Sequence, residues 1–169
     1  MRKFLPGMLF TVLTLSSCDI PLNADIGLPP SDIAASQVIP PSAMEKSIHQ
    51  QINQYRKARK LPPLTLDARI SAQAKIHSQN MASGKVPFSH DGFEQRVSII
   101  RRQIPYQAAA ENVAFNQGYS NPAEQAVDGW IKSDGHRVNI EGQYNLTGVG
   151  IVKNAKNEYY FTQLFINRR

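Results

Sequence analysis

The stretch Tyr159-Tyr160-Phe161-Thr162-Gln163-Leu164-Phe165-Ile166 is rich in aromatic and β-branched residues, and it reads as a strand. Alternate residues of a strand face opposite ways, which puts Tyr159, Phe161 and Phe165 on one side and Tyr160, Leu164 and Ile166 on the other. Both sides need apolar cover, and a strand finds it when its sheet lies between two layers. Residues 146–152 read as a second strand, joined to the first by residues 153–158 as an antiparallel hairpin, and residues 110–115 read as a third. Within the second, Gly148-Val149-Gly150 removes two side chains from one face, so that a helix or a ligand can approach the backbone there.

The remaining periodic segments supply the covering layers. Ser42-Ala-Met-Glu45 has the spacing of a capping box, and Met44, Ile48, Ile52 and Tyr55 recur at helical intervals up to a stop before Pro62-Pro63. A second helix is expected from Asp67 to Gly84 with Ile70, Ala74, His77 and Met81 on one stripe. His77 on such a stripe reads as a core histidine with satisfied nitrogens. A third helix is signalled by Asp91-Gly-Phe-Glu94, with Asp91 as cap, Glu94 reaching back to it, and Phe93, Val97 and Ile100 buried. The fourth follows Asn121-Pro122-Ala-Glu124 and buries Val127, Trp130 and Ile131. Four helices on both faces of a short, mainly antiparallel sheet give an α+β fold, a three-layer α-β-α sandwich over residues 42–169.

The first 41 residues carry different information. Arg2 and Lys3 precede an apolar run over residues 4–15, too short to span a bilayer but suited to a signal-peptide core. It ends in Leu15-Ser16-Ser17-Cys18, which resembles the lipobox of bacterial lipoproteins and implies removal of residues 1–17 and lipid on the Cys18 thiol. Cys18 is the one cysteine, so no internal disulfide can form. Residues 18–41, with Pro29-Pro30 and Pro40-Pro41, read as a stiff tether that holds the domain off a membrane. The expected location is therefore the cell envelope or cell surface, lipid-anchored and extracytoplasmic. The net charge of +6 is spread along the chain. Its densest run, Arg56-Lys57-Ala-Arg59-Lys60, lacks interleaved aromatics and reads as a solvated helix face rather than a nucleic-acid site.

Several separated motifs occur in one order: His77-Ser-Gln-Asn-Met81, Phe88-Ser-His90, Ala110-Glu111-Asn112, Trp130-Ile-Lys-Ser133, Gly135-His136-Arg137-Val-Asn139-Ile140 and Gly148-Val-Gly150. Together they resemble the CAP superfamily of cysteine-rich secretory, antigen 5 and pathogenesis-related proteins. The resemblance implies the same α-β-α sandwich and a cleft formed around two histidines and two glutamates. His90 and His136 match the histidines, and Glu111 matches the glutamate of a Gly-Glu-Asn motif, although Ala110 replaces the glycine. The second glutamate falls on Ser133. Helix capping explains Glu94 without a function, although it stands near enough to His90 in sequence to join the cleft rim.

Two function classes follow. His90 and His136 with Glu111 can hold a divalent cation such as zinc and leave a position for water, which would make a metal-assisted hydrolase of peptide or envelope polymer. Alternatively the histidines hydrogen-bond the carboxylate and order the loops over a cleft that binds a small molecule, a cell-wall component or a protein without chemistry. The missing second glutamate favours the binding module.

Overall fold

Helix α1 (Ala43–Ala58) begins where its capping box closes: Ser42 Oγ accepts from the Glu45 amide, and Glu45 accepts from the Ser42 amide. This helix is the first element in a computed structural model that describes residues 42–169. The signal-peptide segment, Cys18 and the tether lie outside the described residues. Ile48 and Ile52 are buried as their spacing requires, and so is Arg56, which corrects the reading of 56–60 as a solvated face. Its guanidinium donates to the carbonyls of Pro62, Ile140, Gly142 and Tyr144. A helix-borne cation surrounded by loop and helix-end carbonyls pins α1 to the turn after residue 140. Lys57, Arg59 and Lys60 remain exposed.

After a two-residue strand β1 (Thr65–Leu66), Asp67 caps helix α2 (Ala68–Ala82) through the amides of Arg69 and Ile70. Ile70, Ala74, His77 and Met81 are all buried, as the stripe predicts. Helix α3 (Phe93–Arg101) departs from its expected start. Its N-cap is Gly92 with φ of 77° and no side-chain cap, so the Asp91–Glu94 box does not form. The Asp91 amide is taken by Ser89 Oγ and its carbonyl by Arg96, which leaves Glu94 exposed.

Strand β2 (Tyr106–Gln117) is twice the expected length, and Glu111 falls in its middle rather than at its start. Helix α4 (Pro122–Lys132) is capped by Asn121, and a fifth helix, α5 (Asp134–Glu141), adds to the four expected and carries His136. The hairpin of β3 (Leu146–Lys153) and β4 (Glu158–Arg168) completes the sheet, ordered β1-β3-β4-β2. β1 pairs in parallel with β3, and the other pairings are antiparallel.

The two-faced strand β4 has a core on each side. Phe161 and Phe165 pack with Ile48, Ile52, Val127, Trp130 and Ile140 of α1, α4 and α5. Leu164 and Ile166 pack with Ile70 and Ala74 of α2 and Val97 and Ile100 of α3. A Cβ on Gly148 would lie 2.3 Å from the Ser71 nitrogen, and one on Gly150 would lie 2.1 Å from the Lys75 nitrogen. Four helical residues rise about 6 Å and two strand residues about 6.6 Å, so α2 rests along β3 directly on these two bare positions.

Candidate binding cleft at the outer edge of the sheet

β2 is an edge strand, and the predicted site residues gather around it. Glu111 shares a sheet face with its partner Leu164, the face covered by α2 and α3, and its side chain is 2% exposed. The cation that meets it is Arg96 of α3. Arg96 Nε donates to Glu111 Oε2 at 2.9 Å and Nη2 to Oε1 at 2.8 Å, a two-point pairing of guanidinium and carboxylate. The other guanidinium N–H groups go to the Asp91 and His90 carbonyls and to His77 Nδ1. All five donors of a buried arginine are thereby used, which is what makes its burial tolerable.

His77 is the satisfied core histidine that its stripe implied. Because Nδ1 accepts from Arg96, Nε2 carries the proton and donates to the Ser89 carbonyl at 2.9 Å. Burial, the largest cause, and the Arg96 charge hold its pKa below the ordinary imidazole value, against an opposing pull from the Ser89 carbonyl. His90 completes the network from outside: Nδ1 donates to Glu111 Oε1 at 2.9 Å, and its side chain remains 53% exposed.

Across the strand edge stands His136 on α5. Asn112, fully buried on the opposite face of β2, donates to the His136 carbonyl and accepts from Asn139, which also donates to the Glu111 carbonyl. These bonds clip α5 to β2 and fix where the imidazole projects. His136 Nδ1 bonds Ser133 Oγ at 2.9 Å, so the serine at the departed glutamate position supplies the partner, and it makes no helix-capping bond. Burial lowers the pKa of His136 first, and the nearby His90 lowers it further. His90, Glu111 and His136 thus converge on one edge. Glu94 joins none of these bonds.

Beside His136 lies an open groove of about 490 Å³, within the ordinary size range of ligand pockets. Its walls are the outer half of β2 from Val113 to Gln117, Ala126, Gly129 and Trp130 of α4, and Ser133. Trp130 is core, as expected, with its indole donating to the Val113 carbonyl. Arg137 anchors the α4–α5 turn through the Ile131 carbonyl and Asp134.

The donor set does not fit a metal centre built on Glu111. Both carboxylate oxygens already accept from a guanidinium cation, and one also engages His90. Among the described residues, no three His, Cys, Asp or Glu side chains are grouped so that they could hold a metal ion.

Sequence reasoning missed Arg96 altogether. The available signal was its position: with Phe93, Val97 and Ile100 it lies on the buried stripe of α3, where a charge implies a buried partner.

The model of the cysteine-rich secretory protein (CAP) family matches residues 49–165. The uncharacterised protein YkwD of Bacillus subtilis is 34% identical over 134 residues, covering 75% of this chain and 48% of YkwD. The membrane protein YlbC of the same organism is 32% identical over 128 residues, 73% of this chain and 34% of YlbC. The chain therefore spans less than half the length of these relatives. Among solved structures, an extracellular protein of Bacillus anthracis containing an SCP domain superposes with a TM-score of 0.62 at 30% identity, covering 74% of this chain and 40% of that one. An outer surface protein of Borrelia burgdorferi superposes at 0.65 with 20% identity, covering 78% of this chain and 97% of that one. A chain made almost wholly of this unit has the same fold.

Proposed function

Since this chain belongs to the cysteine-rich secretory protein (CAP) family, we propose that it is an extracytoplasmic binding module, anchored to a membrane by lipid on Cys18. Its cleft between His90 and His136 receives a small molecule, a cell-wall component or a protein segment and performs no chemistry on it. The carrying observation is the two-point Arg96–Glu111 pair. A buried carboxylate whose two oxygens are held by a guanidinium and an imidazole is a structural anion, its charge spent on Arg96 rather than on activating water. Ser133 supplies no second carboxylate, and among the described residues the hydrogen-bond partner of the His136 ring is that serine hydroxyl. The Bacillus anthracis and Borrelia burgdorferi proteins, described as extracellular and outer surface respectively, agree with an exported location.

Native mass spectrometry of residues 42–169, purified without a histidine tag, tests this reading. The expected spectrum shows the bare domain or a non-covalent organic adduct. A stoichiometric zinc adduct that survives mild chelation would restore the metal-assisted hydrolase.

A further inference from the structure

The outer edge of β2 is covered along one half and open along the other. The carbonyls of Glu111 and Val113 point away from β4, because Asn139 Nδ2 and Trp130 Nε1 reach them from the other side. Strand backbones alternate, so the amide and carbonyl of Phe115 and the amide of Gln117 face the same way, away from their β4 partners Tyr160 and Glu158. Among the described residues, no hydrogen bond takes the Phe115 amide or carbonyl from that side. An uncovered strand edge is a template for another strand, and folded proteins ordinarily blunt such edges. Here the open part borders the 490 Å³ groove.

The groove's chemistry narrows the occupant. Its lining includes Asn116, Gln125 and Ser133, and none of its lining residues carries a carboxylate, ammonium or guanidinium. Asn116 is 6% exposed; its Nδ2 donates to the Pro122 carbonyl, and its Oδ1 has no hydrogen-bond partner among the described residues. Gly129 leaves open space where a Cβ would stand. On the other face of the strand, the exposed rings of Phe88 and Phe115 and the Tyr160 ring form a row, with centroids 6.4 Å and 5.1 Å apart.

We propose that the β2 edge at Phe115 and Gln117 captures an uncharged, extended peptide segment of a partner protein by strand addition. This rests on the binding-module reading and names its ligand class. The peptide backbone pairs with Phe115, one set of alternate side chains enters the groove over Gly129, and the other set, apolar, lies against the Phe88–Phe115–Tyr160 row. Backbone pairing gives the affinity, and the two side-chain faces give the selection.

The test is a titration of ¹⁵N-labelled residues 42–169 with a short acetylated and amidated peptide of alternating valine and threonine, followed by amide shifts. Shifts centred on Phe115 and Gln117 are expected, with a Kd of about 1 mM for so short a probe. Methylating alternate backbone nitrogens of the peptide should weaken binding by about tenfold or more. Gly129→Leu, at an exposed helix position, should abolish it while leaving the fold intact, and the methylated probe still decides the matter if that variant unfolds. Equal binding of the methylated peptide, or no shift at these amides, overturns strand addition. Concentration-dependent shifts without peptide would assign the edge to a second copy of the chain. Shifts produced instead by a peptide-free N-acetylated cell-wall disaccharide would overturn the peptide and leave the binding module standing.

Discussion

Gly150→Ala adds one methyl group, and its cost follows from where that methyl must go. The new Cβ would lie 2.1 Å from the Lys75 nitrogen, 2.3 Å from the Ala74 carbonyl carbon and 2.4 Å from the Lys75 Cα. All three are backbone atoms of α2, so no side chain can rotate aside. Relief requires α2 to lift from β3 by about 1 Å, which loosens the contacts of Ile70 and Ala74 with Leu164 and Ile166. The destabilisation should reach the upper end of overpacking, about 3 kcal/mol. At about 4 °C per kcal/mol for a domain of this size, Tm should fall by about 12 °C. Gly129→Ala is the control: nothing lies within 4 Å of its Cβ, so the better helix former should raise stability by about 0.5–1 kcal/mol. Calorimetric melting of both variants checks the pair. An unchanged Tm for Gly150→Ala would refute the close seating of α2 on β3.

Arg96→Met should cost about 3–5 kcal/mol in urea unfolding, because it strands the buried Glu111 carboxylate. Adding Glu111→Gln should recover part of that loss, and a double variant weaker than the single one would contradict the pairing. His77 and His136 both hold pKa values below the ordinary imidazole range, with burial as the first cause. Such groups contribute stability that is present above the unfolded value of about 6.5 and lost as pH falls below it. Tm should therefore drop on acidification below about pH 6.5, less steeply in His136→Asn, and a flat profile would count against buried neutral imidazoles. Cys18→Ser should release the chain from membranes or block its maturation; membrane fractionation of a normally processed mutant would remove the anchor.

The features legible in the sequence were those set by local chemistry. Ser42, Asp67 and Asn121 cap helices because their side-chain oxygens are placed for the first amides. The two-sided pattern of β4 demanded a layer on each face, and Gly148 and Gly150 announced the helix that lies on them. What escaped depends on distant partners. Arg96 and Arg56 carry charges that a linear reading assigns to water, yet Glu111 and a set of four carbonyls make their burial tolerable. Helix α5 escaped because Gly135 interrupts it early and only Ile140 is buried, which leaves no stripe. β1 is two residues long and exists only through its pairing with β3. Asp91 looked like a cap, but Arg96 drew its carbonyl into the buried network and Gly92 took the start of α3. Family likeness picked out the histidines and Glu111 as candidates, whereas Arg96, the partner on which the proposed choice between binding and catalysis turns, was not legible.

That decision rests on the Glu111 carboxylate being held by Arg96 rather than by a metal. Isothermal titration of zinc into residues 42–169 tests it most directly, run side by side on the wild type, His90→Ala and His136→Ala. The account predicts equal, weak heats in all three. A stoichiometric, saturating heat in the wild type that disappears in both histidine variants would contradict it.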